Sequence, residues 1–400
     1  MLDLPWVVRQ PASLLGAALT RALAPLYRGV RARGTHPWVI GGHRGRLYAD
    51  NAAALHARAV AEGQSIVWIA SRPLADELAA RGLEVRVRDS LAARLAILRA
   101  PVALTSHGDD DLDTYALLFR RAVGLRVHLN HAMNHLKAGQ WYRLGADRLR
   151  GLRRWVFARG VVYFDWLLAS SRLEAEHFGL SFPDRRGRIL PEGGGAHIDK
   201  FPPLRTAPTD RTVLWFPTFR ENVEAERRVD AAIAEVIRHP DLLAWLARED
   251  RTLVVCRHVN AARRPVGQAA GPPPERIRFA DPAELGALLE RASCLVSDYS
   301  SVAVDWLVTD RPAIFFPFDL DDYRGTRRFY IPYEDWHYGP LVTSAQALVD
   351  LLVGGTWTDT AAFEERRRRW LEAMFPHREP VYAARCLAAV RELARAPLDR

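Results

Sequence analysis

Three short stretches of this chain hold side chains suited to chemistry on a phosphate. The apolar run from Cys294 to Val296 breaks into Ser297-Asp298-Tyr299-Ser300-Ser301, after which Val302, Val304, Trp306 and Leu307 take up helical spacing. This reads as a buried parallel strand delivering a helix start. Asp and Ser side chains satisfy orphan N–H groups there, and the remaining N–H groups and hydroxyls can receive a phosphate or diphosphate. The alternative is a well-capped junction that binds nothing. Two histidine stretches follow strand-like runs in the same manner. Leu125–Leu129 leads into Asn130-His131, with His135 and Lys137 just beyond, and Leu253–Cys256 leads into Arg257-His258. A hydroxyl that attacks phosphorus needs a base titrating near neutral pH, which is histidine chemistry. Arg220, after Pro217-Thr218, offers a planar guanidinium fork for phosphate, or else a surface ion pair with Glu221 or Glu224. Gly193-Gly194-Gly195 allows close backbone approach to a ligand, or a hinge turn. Asp109-Asp110-Asp111 with Asp113 has the look of an acidic metal motif, but it opens a helical pattern at Leu112, where acids are favoured by the dipole. No metal and no cofactor are expected.

The spacing of Asp298-Tyr299-Ser300-Ser301, three further residues and then Asp305-Trp306 resembles the signature of the CDP-glycerol glycerophosphotransferases, which build teichoic-acid and related capsule polymers. The resemblance continues in order through Arg311-Pro312, Phe315-Phe316-Pro317, Asp319, Asp322-Tyr323-Arg324-Gly325, Phe329-Tyr330, Tyr333-Glu334 and Gly339-Pro340. It is dense from Val213 to Pro340 and patchy before. It implies attack by an acceptor hydroxyl on the β-phosphorus of CDP-glycerol, with CMP leaving. His131 stands at the family's Trp-His-Gly and is implied as the base, although Asn130 and Ala132 replace the flanking residues and Lys137 falls one residue later than usual. His135 stays as the alternative. His258 is implied at the donor diphosphate, with Val259 where the family has Pro. Arg220, Ser300 and Ser301 would hold that diphosphate with it, Thr218 and Asp298 are implied as substrate-binding residues, and Asp305 orders the loop or meets a donor hydroxyl. Gly194 and Asp199 fall in a further family pattern in which Ala196 and His197 replace Pro and Arg. Lys137 is implied as a substrate-binding residue, and the basic loop of Arg324, Arg327 and Arg328 suits a polyanionic or lipid-linked polymer acceptor. Gly41-Gly42-His43-Arg44-Gly45, with Tyr48, Asp50 and Asn51, resembles the first-domain loop on the acceptor side. Two other readings stay open: a CDP-ribitol or sugar-nucleotide transferase of the same architecture, and a catalytically inactive scaffold relative.

A net charge of +9 points to anionic partners. The Lys and Arg residues are spread rather than striped, and zinc-finger and RNP signatures are absent, which disfavours nucleic acid. Three Cys without paired spacing give no disulfide framework, consistent with a cytoplasmic protein. No apolar run approaches the roughly 20 residues that span a bilayer. Leu14, Leu15, Ala18, Leu19, Ala22, Leu23 and Leu26 recur at helical spacing with Arg21, Arg28, Arg31 and Arg33 beside or after them. That segment either lies on an anionic membrane surface, at the inner face of the cell membrane, or packs on its own domain.

These groups need elements to position them. Strand-like runs at Trp38–Ile40, Ser65–Ala70, Val102–Ser106, Leu125–Leu129 and Trp166–Ala169 alternate with helical patterns, and a second alternation runs from Val213 to Phe316. The proline-rich stretch between Lys200 and Asp210 separates them. The expected fold is α/β: two Rossmann-like domains facing a cleft, of glycosyltransferase-B type, with a helical N-terminal extension. The expected divisions are 1–35 for the extension, 36–200 for an acceptor-side domain, 211–375 for the donor domain, and 376–400 for a C-terminal helix packing back on the first domain.

Overall fold

The computed structural model describes residues 16–22, 25, 36–119, 122–131, 136, 149–151, 164–201, 210–220, 222–258, 261 and 272–396. His135, Lys137, the proline-rich connection at 202–209 and most of the N-terminal segment lie outside the described residues. The chain divides into two compact units, one of Met1–Met133, Gln140–Asp199 and Pro380–Arg400, the other of Asn134–Gly139 and Lys200–Glu379.

The first unit is built on a parallel sheet ordered β3-β2-β1-β4-β5-β6-β7. Its strands are β1 (Trp38–Gly41), β2 (Ile66–Ala70), β3 (Val85–Val87), β4 (Val102–Thr105), β5 (Leu125–His128), β6 (Trp166–Leu168) and β7 (Ile189–Leu190). β1, β2 and β4 are buried along their whole length, which is why they read as unbroken apolar runs. β3 was not legible in that way: Val-Arg-Val at the sheet edge is only half-buried and alternates with charge. Two of the helices between strands start on side-chain caps, Ser90 accepting from the Ala93 N–H and Ser171 from the Glu174 N–H. The last helix, Tyr382–Arg395, returns to this unit, and its Cys386, Leu387 and Val390 share a core with Leu55, Ile40 and Trp68.

The second unit carries a five-stranded parallel sheet ordered β10-β9-β8-β11-β12. Its strands are β8 (Thr212–Phe216), β9 (Thr252–Cys256), β10 (Ile277–Ala280), β11 (Cys294–Ser297) and β12 (Ala313–Phe315). Val213, Trp215, Val255, Val296 and Ile314 meet Val229, Ile233, Trp245 and Leu348 from the covering helices. The charged stretch after Arg220 forms two helices, Val223–Ile237 and Pro240–Arg248. Pro240 has no N–H to continue the first and is well placed to open the second. The helix expected from Leu112 is likewise divided into a 3-10 turn, Asp109–Asp111, and a short helix, Ala116–Phe119.

Both units are Rossmann-like, and in each the strand order reverses once about the middle of the sheet. In open sheets of this kind ligands bind beyond the strands' carboxyl ends at that reversal. The loops in question follow β1 and β4 in the first unit, and β8 and β11 in the second.

Asp199, expected at a ligand, is used otherwise. Its carboxylate accepts from the Tyr382 and Ala383 N–H groups at 2.9 and 2.8 Å and so caps the last helix. Asp199→Ala should therefore cost about 1 kcal/mol and lower the thermal unfolding midpoint by about 2–4 °C. Scanning calorimetry of the two proteins checks this, and an unchanged midpoint would leave Asp199 without a structural task.

Candidate active site

In the second unit the loop after β11 is organised by the Asp298 carboxylate. One of its oxygens accepts from the Thr218 N–H at 2.9 Å, the Thr218 hydroxyl at 2.5 Å and the Tyr299 N–H at 2.6 Å. The other accepts from Arg220 Nη2 at 2.9 Å. Arg220 also donates to Asp319 through Nε at 2.8 Å and Nη2 at 2.7 Å, and to the Thr218 carbonyl at 2.5 Å. Its guanidinium carbon lies 5.0 Å from the ring centres of both Tyr299 and Tyr323. Burial would weaken the charge, but the two carboxylates outweigh it and raise the Arg220 pKa further. Arg220 is only 3% exposed. The expected phosphate fork, or surface pair with Glu221 or Glu224, is thus a buried structural tie. Four of its five side-chain N–H donors are engaged inside the protein, as are the N–H and hydroxyl of Thr218.

Glu226 extends the tie, accepting from the Arg220 N–H at 2.8 Å and bonding the Arg257 guanidinium, which also reaches Asp230 at 2.5 Å. Arg257 is therefore turned inward at the end of β9. The half-buried ring of His258 stacks near Phe219, 6.1 Å between centres. Ser300 Oγ accepts from the Val302 N–H at 3.2 Å, and half-buried Ser301 begins the helix Val302–Trp306. Asp305 is buried on that helix, which favours ordering of the loop over contact with a ligand hydroxyl. Half-buried Arg327 closes the helix Leu320–Thr326, and neighbouring Arg324 pairs with Glu334.

In the first unit the Asp111 carboxylate ties two loops together. It accepts from the N–H groups of Ser106 at 2.9 Å and His107 at 2.7 Å, after β4, and from that of Arg44 at 2.8 Å, after β1. The acidic stretch is thus a loop anchor rather than a helix start. Gly194 also has a structural reason: a Cβ there would stand 2.8 Å from the Leu168 carbonyl oxygen. The Asn51 amide donates to the carbonyls of Leu129 and Asn130 at 3.2 and 3.1 Å, holding the turn before His131. Its oxygen accepts from His197 Nδ1 at 2.6 Å, so His197 is a buried brace.

These loops bring three imidazoles together. His107 lies between His43, 4.2 Å away at 56°, and His131, 4.3 Å away at 19°. Its Nδ1 accepts from the His43 N–H at 3.3 Å. Burial first, then the charges of His131 and His43, hold His107 far below its ordinary pKa, so its ring is neutral. His43 Nε2 meets Asp50 at 2.6 Å. Burial alone would raise the Asp50 pKa, but His43 overcomes it and brings it down to about 2. His43, Arg44, Asp50 and Asn130 all have positive φ, between 49° and 59°. This left-handed backbone costs about 1–2 kcal/mol at Arg44 and less at Asp50 and Asn130, and strain of this kind gathers at functional sites. His107 is the residue that sequence reasoning passed over, although it follows β4 just as His131 follows β5. Among the described residues no group of three or more His, Cys, Asp or Glu is arranged to hold a metal ion.

The family profile described as CDP-Glycerol:Poly(glycerophosphate) glycerophosphotransferase matches residues 39–391. The chain belongs to this family. The wall teichoic acid polymerase TagF has the same fold, with a TM-score of 0.70 at 17% identity over 96% of this chain and 95% of that one. Over 76 residues the chain is 44% identical to the teichoic acid ribitol-phosphate polymerase TarL of Staphylococcus aureus, covering 19% of this chain and 14% of TarL. Over 221 residues it is 27% identical to the teichoic acid ribitol-phosphate primase of Bacillus spizizenii, covering 50% of this chain and 53% of the primase. The chain thus spans about half, or less, of the curated relatives it matches.

The Arg220 tie can be tested apart from any ligand. Arg220→Ala leaves Asp298 and Asp319 buried without their cation and should destabilise the protein by about 3–5 kcal/mol, read from urea unfolding. A surface phosphate fork would change stability by no more than about 0.5 kcal/mol.

Proposed function

We propose that this protein transfers an alditol phosphate from a CDP-alditol to an acceptor hydroxyl and releases CMP, in the synthesis of a teichoic-acid-like or capsular polymer. The observation that carries the reading is that family-signature residues fall on the loops after β1, β8 and β11 at the two sheet reversals, with His131 and His258 after the neighbouring strands β5 and β9. CDP-glycerol is the first donor, in line with the family and with a TagF structure described as soaked with CDPG. CDP-ribitol is the second, supported by the local identity to the ribitol-phosphate enzymes.

The hydroxyl oxygen attacks the β-phosphorus in line, the bond to the CMP oxygen breaks, and a phosphodiester forms. His131 removes the hydroxyl proton. The N–H groups and hydroxyls of Ser300 and Ser301, with His258, hold the donor diphosphate and the charge that develops on it, and Arg327 meets the polyanionic acceptor. Arg220, Thr218 and Asp298 shape this loop rather than touch the ligand. His131→Ala should lower CMP release by at least about a hundredfold with little change in CDP-glycerol binding. Ser300→Ala with Ser301→Ala should weaken that binding, read by calorimetry, without shifting the unfolding midpoint by more than a degree or so. Unchanged affinity in the double variant would remove the diphosphate from this turn.

We place the protein in the cytoplasm, at the inner face of the membrane. The burial of its three free cysteines suits a reducing compartment. Among the described residues no helix is long and apolar enough to cross a membrane. Residues 16–22 are helical, with Ala17 and Thr20 buried on the first unit and Ala18, Leu19 and Ala22 exposed. That exposed face suits weak contact with an anionic bilayer. Leu19→Glu should reduce flotation with phosphatidylserine vesicles. Equal flotation would argue that this helix only packs on its unit.

A further inference from the structure

The imidazole column holds more than a base requires. A lone histidine at the end of β5 could accept a proton unaided. Here His131 is stacked on a second ring, which lies against a third at a tilt of 56°, and that third ring is bonded to a carboxylate. Three of the four residues with strained backbone at this place, His43, Asp50 and Asn130, belong to the column or directly precede His131. The fourth, Arg44, gives its N–H to Asp111 and so fixes the loop that carries His43. The strain is spent on assembling the column, not on a turn that would form anyway.

We propose that His43, Asp50 and His107 are positioning residues for His131: Asp50 draws positive charge to the His43 end of the column, and His107, whose Nδ1 is committed as an acceptor, holds the His131 ring flat. His131 is then left unprotonated and in one plane, ready to accept a proton. This rests on the reading of His131 as the base.

The physics is that of coupled sites. A proton on one imidazole opposes a proton on its neighbour, and an adjacent carboxylate decides which end carries it. Asp50 is ionised, with its carboxylate 2.6 Å from His43 Nε2. The other groups around the column do not compete for this role. Arg44 is paired with Asp110 at 2.7 Å. Asp111 is engaged with backbone N–H groups. His128, on β5, is pushed down to about 3 by burial and then by His131. His197 Nδ1 is bonded to Asn51.

Replacing His43 by Gln removes the ring bonded to Asp50 and leaves that carboxylate to act on His131, which favours a protonated His131. The pH at which His131 titrates should rise by about 1 unit, followed through histidine Cε1 resonances in 13C NMR and assigned with the His131→Ala spectrum. The acid limb of kcat, with CDP-glycerol as donor and a soluble glycerol phosphate oligomer as acceptor, should move by the same amount in the same direction. For the stack, His107→Ala should lower kcat by about tenfold with KM for the donor nearly unchanged. His107→Phe keeps a flat ring and should restore kcat to within a factor of about three.

Two kinds of failure are distinguishable. If His131 titrates at the same pH in the His43→Gln variant, or if His107→Phe is as slow as His107→Ala, the positioning proposal is overturned. If instead His131→Ala keeps full CMP release, it is the base assignment that fails, whatever the titration shows. Should His43→Gln not fold, the pair of His107 variants carries the test alone.

Discussion

A buried guanidinium between two carboxylates is the interaction on which the second unit's chemistry depends. Strands and helices are held by their own hydrogen bonds and apolar contacts, but the loops beyond strand ends are not. Arg220 ties the loop after β8 to Asp298 after β11 and to Asp319 after β12. Glu226 and Arg257 carry the tie to the end of β9. Four strand ends are thus fixed by one charged network, and removing the Arg220 guanidinium leaves buried carboxylates without their cation. The Ser300-Ser301 turn and His258 sit on this framework, so their geometry is set before any ligand arrives.

The first unit solves the same problem with a neutral amide and a carboxylate rather than an ion cluster. Asn51 holds the end of β5, and Asp111 binds the loops after β1 and β4 to each other. What these ties present is a column of imidazoles on strained backbone. In both units, then, several residues that carry the family resemblance are engaged within the protein: Thr218, Arg220 and Asp298 hold loops together and Asp199 caps the last helix.

That division explains what the sequence could and could not tell. The strands were legible because parallel strands buried on both faces are unbroken apolar runs, as at Ile66–Ala70 and Thr252–Cys256. β3 escaped because an edge strand with Arg86 at its centre has no such run. Residues of the site were legible by type and by position after a strand, and the rule that found His131 and His258 would have found His107. Whether a given polar residue faces a ligand or its own loop was not legible. Arg220 reads the same in either role, and only its distance to Asp319, 99 residues later, decides between them.

The central claim is that a CDP-alditol is the donor, and it is tested most directly by incubating the purified protein with CDP-glycerol, CDP-ribitol or UDP-sugars and a glycerol phosphate acceptor. Phosphorus NMR follows the products. The expected result is CMP together with a new phosphodiester resonance from one of the two CDP-alditols, and no UDP from the sugar nucleotides. Release of UDP, or intact CDP-alditols alongside an active UDP-sugar reaction, would contradict it.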